Sequence, residues 1–268
     1  MVHKAKKSMG QNFLKSEPAL RMMCEAGSVG NSDTILEIGP GKGALTVRLL
    51  EKAHKVIAVE KDRDLIKILE ERFEREIKDK KLEIVNKDIL EFDPKDYGLK
   101  EYGYKIIANI PYNITGAIIK RFLSEVLQPS AMILLVQKEV AERIVARDLK
   151  ESILSLSVKI YGTPKYMMKV GKRFFSPSPK VDSAIIAITD ISKKYFTKSH
   201  TEKEFFTVIK AAFAHKRKVL RKNLEQVASP MNIETMFTKL NIDSRSRAED
   251  LSFDLWLKIT TYLSSHIG

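Results

Sequence analysis

A chain of 268 residues is long enough for a full hydrophobic core plus a smaller second unit. Its net charge of +13 asks for a polyanionic partner, with nucleic acid ahead of a membrane surface. One cysteine, Cys24, excludes an intrachain disulfide and a cysteine-built zinc site, and the five histidines lie without ligand spacing, so no metal is expected. The first ten residues are charged and have no apolar signal region, and no run reaches membrane-span length, so the expected location is the cytoplasm, away from membranes.

Residues 4–16 precede any periodic element and read as a basic tail anchored by Phe13 and Leu14, with a helix starting near Glu17-Pro18. A strand over Thr34–Gly39 runs into the turn Pro40-Gly41-Lys42-Gly43 and then a helix carrying Leu45, Leu49 and Leu50. Lys55–Glu60 is a second strand ending in a carboxylate, about 20 residues after Gly39, where βαβ folds place an acid against a ribose diol. One amphipathic helix is expected over Arg63–Glu76. Leu82–Val85 is a third strand, closed by Asn86-Lys87-Asp88-Ile89. The fourth, Ile106–Ala108, stops at the polar and aromatic corner Asn109-Ile110-Pro111-Tyr112. A helix over Ile114–Phe122, a strand over Ala131–Val136 and helices over Lys138–Ala146 and Ile153–Tyr161 follow. Tyr166–Val170 and Ala184–Ile188 form a terminal strand pair.

This alternation predicts an α/β fold, a Rossmann-like parallel sheet covered on both faces. After a polar linker over Asp190–Thr201 only helical periodicity remains, through Phe205, Ile209, Leu220, Leu224, Met236, Trp256 and Ile259. The expected domains are therefore 1–190, the α/β unit, and 191–268, an all-helical unit.

Gly39-x-Gly41-x-x-Ala44 with Glu60 satisfies a dinucleotide fingerprint, which suits NAD and S-adenosylmethionine equally and also a purely structural turn. Asp88 and the 109–112 corner tip the balance toward S-adenosylmethionine. An exocyclic adenine amine is a poor nucleophile because its lone pair is spread into the ring. The Asn109 side-chain oxygen and a main-chain oxygen at Ile110 or Pro111, in line with both N–H bonds, would localise that lone pair. Tyr112 would stack on the base once it has left its helix or loop.

Five motifs occur in the order found in the KsgA-type rRNA adenine dimethyltransferases, which the chain resembles over nearly its whole length. They are Ser8-x-Gly10-Gln11-Asn12-Phe13-Leu14, Leu36-Glu37-Ile38-Gly39-Pro40-Gly41-x-Gly43-x-Leu45-Thr46, Asn109-Ile110-Pro111-Tyr112, Phe175-x-Pro177-x-Pro179-Lys180-Val181-x-Ser183 and the basic segment Lys216–Leu224. The resemblance implies S-adenosylmethionine-dependent dimethylation, at N6, of two adjacent adenosines near the 3′ end of small-subunit rRNA. It implies further that Gln11, Asn12 and Leu14 cover the cofactor, Gly39 and Gly41 meet its methionine end, and Glu60 takes the ribose hydroxyls. Asp88 would take the adenine amine, with Lys61 and Ile89 beside it, and Asn109 would lie between cofactor and target. Tyr112 and one of Phe174 and Phe175 would sandwich the flipped adenine, and the family spacing favours Phe175. Ser16 departs from the pattern, standing where many relatives carry an acid.

From Lys193 to Lys222 ten basic residues face two acids, and from Pro164 to Lys180 there are five basic residues and no acid. Lys172, Arg173, Lys216, Arg217, Lys218, Arg221 and Lys222 are the residues expected to track RNA phosphates. The implied partner is small-subunit rRNA within the pre-ribosomal particle, bound by a monomer with an added assembly role. Two rival readings are a large-subunit rRNA methyltransferase of the macrolide-resistance type and a non-catalytic assembly or transcription factor on the same fold.

Overall fold

The computed structural model describes residues 5–6, 10–198, 200–215 and 217–264. They pack as two compact units: the first holds the chain through Ala141 and again Gly162–Ile191, the second Glu142–Tyr161 and the chain from Ser192 onward. The unit thus changes one residue beyond the boundary expected from the sequence, and 142–161 belongs to the second unit as well. Contacts explain why. The Tyr161 ring lies 5.5 Å from that of Phe196 and 6.5 Å from that of Phe206, and the Glu151 N–H donates to the Glu249 carbonyl.

In chain order the elements are β1 (Phe13–Leu14), α1 (Glu17–Ala26), β2 (Thr34–Ile38), α2 (Ala44–Leu50), β3 (Lys55–Glu60), α3 (Arg63–Arg72), α4 (Glu74–Lys78), β4 (Leu82–Asn86), β5 (Lys105–Asn109), α5 (Thr115–Ser124) and β6 (Ala131–Gln137). There follow α6 (Lys138–Val145), α7 (Ile153–Lys159), β7 (Thr163–Val170), β8 (Phe175–Ser176) and β9 (Ser183–Thr189). The main sheet runs β4-β3-β2-β5-β6-β9-β7. Its first five strands are parallel, whereas β9 is antiparallel to both β6 and β7. From β2 the chain works outward through β3 to β4, then returns to place β5 on the other side of β2. Such a reversal opens a crevice at the carboxyl ends of the strands. The buried apolar runs of β2, β3, β5 and β6 hold this sheet, since a parallel sheet covered on both faces needs apolar side chains at successive positions.

Two local features differ from the sequence reading. The helix expected over Arg63–Glu76 breaks at Phe73, whose φ of −117° leaves the helical range. The break turns the Phe73 ring inward against the glycine turn, where a Cβ on Gly43 would lie 2.5 Å from it. The supposed tail before α1 forms β1, which pairs antiparallel with β8 through Phe13↔Ser176 and Leu14↔Phe175. A two-residue strand carries no periodicity to read. Ser16 caps α1 by accepting the Ala19 N–H, a role that an acid would fill equally well, which accounts for the departure at this position.

The second unit adds α8 (Glu202–Ala212), α9 (Leu220–Leu224), α10 (Pro230–Leu240) and α11 (Phe253–Ser264). Its core gathers Phe205, Ile209, Leu220, Leu224, Ile233, Met236, Ile259 and the fully buried Trp256. Thr201 and Glu204 form a capping box at the start of α8. The basic segment is helical only from Leu220, so Arg217 and Lys218 lie in the turn before it, and Lys216 lies outside the described residues. Asn223, within the same motif, has a structural role. Its amide donates to the carbonyls of Ala212 at 2.7 Å and His215 at 3.1 Å, closing the end of α8. Removing it takes the side-chain donor from the buried Ala212 carbonyl, whereas the exposed His215 carbonyl keeps the Lys218 N–H at 3.0 Å. Asn223→Ala should therefore lower stability by about 1–3 kcal/mol, seen as a lower urea midpoint, and an unchanged midpoint would remove this account.

Candidate active site

The carboxyl ends of β2, β3, β4 and β5 open into one cleft of about 950 Å3. Every residue that the sequence proposes for the cofactor lines it: Gln11, Asn12, Leu14, Gly39, Gly41, Glu60, Lys61, Asp88, Ile89 and Asn109. So do Ile110, Pro111 and Tyr112 of the corner.

The turn after β2 needs its glycines, because Gly39, Gly41 and Gly43 adopt φ of +65°, +61° and +80°. Space matters as much as torsion at Gly41, where a Cβ would meet the Phe13 ring at 2.9 Å. Glu60, ending β3, is 7% exposed and takes two backbone donors, the Gly41 N–H at 3.2 Å and the Asp62 N–H at 2.9 Å. Burial nevertheless pushes its pKa up, against those bonds. Each carboxylate oxygen keeps acceptor capacity, which is what a vicinal diol requires.

Asp62, two residues on, is the group sequence reasoning missed. It is 1% exposed and accepts from Gln11 Nε2 at 2.7 Å and Lys6 Nζ at 2.6 Å, so it ties the amino-terminal segment to the loop that carries Glu60. Its only sequence signal is that of an ordinary helix cap for α3. Arg121 was missed too. Its guanidinium reaches across from α5 to the carbonyls of Ile89, Leu90 and Phe92 and holds the loop after β4. On that loop Asp88 accepts from Lys61 Nζ at 2.8 Å and the Leu90 N–H at 3.0 Å, and the Lys61 ammonium chiefly holds its pKa below the ordinary carboxylate range.

At the end of β5, Asn109 Nδ2 donates to the Asn12 carbonyl at 3.1 Å. A carbonyl can only accept, so this bond decides the amide's orientation and makes Oδ1 the end available as an acceptor. Tyr112 is half-buried, and its hydroxyl shares a 2.6 Å hydrogen bond with Ser183. Burial raises its pKa, so it keeps its proton at neutral pH.

The two phenylalanines are placed differently. Phe175 is 5% exposed and packs in the core beside Leu14, and the cleft wall next to it consists of Ser176 and Pro177. Phe174 is exposed, with the Arg173 guanidinium 5.0 Å over its ring. The predicted basic residues are also sorted. Lys172, Arg173, Arg217, Lys218 and Lys222 are exposed, whereas Arg221 is half-buried and pairs with Glu234 at 3.1 Å; Lys222 pairs with Glu225 at 3.1 Å. Among the described residues no group of three or more His, Cys, Asp or Glu could hold a metal ion, and no helix is long and apolar enough to cross a membrane.

This donor set fits S-adenosylmethionine: a left-handed glycine turn for the methionine end, the Glu60 carboxylate for a ribose diol, Asp88 for an adenine amine, and a strap over the opening. Sheet and site together define a Rossmann-like methyltransferase. The family model described as ribosomal RNA adenine dimethylase matches residues 2–265, and the chain belongs to that family of S-adenosylmethionine-dependent enzymes. It is 39% identical to the ribosomal RNA small subunit methyltransferase A of Dehalococcoides mccartyi (strain CBDB1) over 259 residues, 96% of this chain and 87% of that protein. A dimethyladenosine transferase from Plasmodium falciparum is similar in structure, with a TM-score of 0.75 and 25% identity over 92% of this chain and 95% of that one. The 23S rRNA methyltransferase ErmE shares the fold, with a TM-score of 0.79 at 23% identity over 94% of this chain and 99% of its own.

Glu37 lines the same cleft, fully buried on β2, and accepts from Thr46 Oγ1 at 2.7 Å. Burial, assisted by the nearby Glu60 charge, pushes its pKa from 4.5 to about 8. The unfolded chain ionises near 4.5 while the folded protein holds the proton until about 8, so stability should fall as pH rises across that window. Glu37→Gln cannot ionise and should flatten this loss. Thermal midpoints measured from pH 4.5 to 8 test it, and parallel curves for the two proteins would contradict it.

Proposed function

We propose that the protein transfers methyl groups to N6 of two adjacent adenosines near the 3′ end of small-subunit rRNA. The observation that carries this reading is the Asn109 amide, oriented by the Asn12 carbonyl so that Oδ1 accepts. Bound S-adenosylmethionine supplies a methyl group already activated on a sulfonium. Glu60 would hold its ribose, Asp88 its adenine amine, and Gly39 and Gly41 its methionine end, while Gln11, Asn12 and Leu14 cover it.

Asn109 Oδ1 and one main-chain carbonyl accept the two N–H bonds of the target amine and favour a tetrahedral nitrogen with a localised lone pair. We assign the second acceptor to Ile110, because the Pro111 carbonyl already takes the Ile114 N–H at 3.3 Å. Tyr112 stacks on the flipped base and takes no part as a base itself, since its proton is retained. Phe175 is assigned to the opposite face, on the strand whose following residues Ser176 and Pro177 line the cleft. Lys172, Arg173, Lys216, Arg217, Lys218, Arg221 and Lys222 are assigned to the RNA backbone, and Arg217 and Lys218 are both exposed in the turn before α9. Monomeric action in the cytoplasm, on a pre-ribosomal particle and with a part in its assembly, belongs to the same reading.

The small subunit is preferred as substrate because the Dehalococcoides mccartyi relative is named for it at 39% identity, whereas the likeness to ErmE, at 23%, is one of fold. Labelled S-adenosylmethionine offered with unmethylated small and large subunits decides: label should enter only the small subunit. Asn109→Ala should lower kcat about 100-fold or more while fold and RNA binding persist, and retained activity would refute the role. Reversing charge at Arg217 and Lys218 should weaken RNA binding and reduce its salt slope by about one per lost phosphate contact. A change in stability alone would make the two residues structural.

A further inference from the structure

Tyr112 stands in a short 3-10 turn, Tyr112–Ile114, directly after Pro111 and outside any strand ladder. A phenol side chain has two free torsions, and the plane of its ring decides how a base can stack on it. At its far end the Tyr112 hydroxyl meets Ser183 Oγ at 2.6 Å. Ser183 is fully buried and opens β9, where it pairs with Gln137 of β6 on one side and Val170 of β7 on the other. A residue between two paired strands is held as firmly as a sheet allows. The bond therefore joins a stiff point of the sheet to the tip of an aromatic side chain on a turn that is otherwise held only locally.

We infer that Ser183 is a positioning residue for methyl transfer: by holding the Tyr112 hydroxyl it sets the plane of the ring that receives the target base. The inference rests on the stacking role proposed for Tyr112. It gives the serine of Pro177-x-Pro179-Lys180-Val181-x-Ser183 a role distinct from the cofactor contacts, and it uses the phenol hydroxyl as an anchor instead of a proton-transfer group. An untethered ring samples tilts in which Asn109 and the base no longer meet in line, so the loss should fall on the chemical step and leave cofactor binding untouched.

The experiment is single-turnover methyl transfer from labelled S-adenosylmethionine to unmethylated small ribosomal subunits, with cofactor affinity and thermal midpoint measured alongside. Four variants are compared first: Ser183→Ala, Tyr112→Phe, the double variant and Tyr112→Ala. Ser183→Ala and Tyr112→Phe should each slow transfer by about tenfold, the effect of losing one buried hydrogen bond, with cofactor affinity unchanged. The double variant should be no slower than either single one, because both remove the same bond. Ser183→Thr, which retains a hydroxyl, should recover most of the rate. Wild-type rates in Tyr112→Phe, or losses that multiply in the double variant, would overturn the anchor. Tyr112→Phe decides even if Ser183→Ala folds poorly, since it breaks the bond from the half-buried cleft side, outside the sheet. Tyr112→Ala separates the two levels: full activity there would overturn the stacking role itself, whereas inactivity beside unaffected single variants would overturn only the role of Ser183.

Discussion

The cleft depends on one constraint, the burial of the Glu60 carboxylate at the end of β3. A charge withdrawn from water must be met by donors, and those nearest are the backbone N–H groups of Gly41 and Asp62. Meeting that demand organises the surroundings. The Gly41 donor fixes the glycine turn against β3, and the Asp62 donor brings in a second buried carboxylate that fastens Gln11 and Lys6. One charged side chain thus joins floor, turn and strap. Glu37, on the neighbouring strand β2, shows the other response to burial: it keeps its proton, so the cleft does not have to hold two uncompensated negative charges.

The corner at the end of β5 is governed by a similar balance of donors and acceptors. Asn109 uses its amide nitrogen on the Asn12 carbonyl, and the choice of that partner presents its oxygen to the cleft. The strap therefore both lines the cleft and fixes the orientation of the Asn109 amide. Tyr112 and Ser183 repeat the pattern on the aromatic wall, where a polar tip is held so that an apolar face can be presented. Arg121 does the same for the loop after β4 by satisfying three of its carbonyls at once. Each of these bonds fixes one orientation of the group it holds.

In the helical unit, part of the basic motif has a structural role. Asn223 and Arg221 lie in the same basic motif as Arg217 and Lys218, yet Asn223 closes a helix and Arg221 pairs with Glu234. Arg217 and Lys218 stand exposed in the turn, where phosphate oxygens can reach them. A charge run read as one patch is thus several residues with different roles.

Much of the fold and the cleft was legible in the sequence. The positions of the main-sheet strands, the glycine turn, the acid at Glu60 and the corner at Asn109–Tyr112 follow from short-range pattern, since apolar runs, positive-φ glycine and a strand-ending proline act within a few residues of themselves. The tertiary structure decided what depends on distant partners. Asn12 meets Asn109 across 97 positions, Tyr112 meets Ser183 across 71 and Gln11 meets Asp62 across 51, and no local pattern records such meetings. The same reason covers the break at Phe73, the burial of Phe175 against Leu14 and the membership of 142–161 in the second unit. Each is a choice of packing partner, made only when the sheet brings remote segments together. The sequence by itself determined which chemical groups stand at the strand ends. Their orientation was left to hydrogen bonds that exist only in the folded chain.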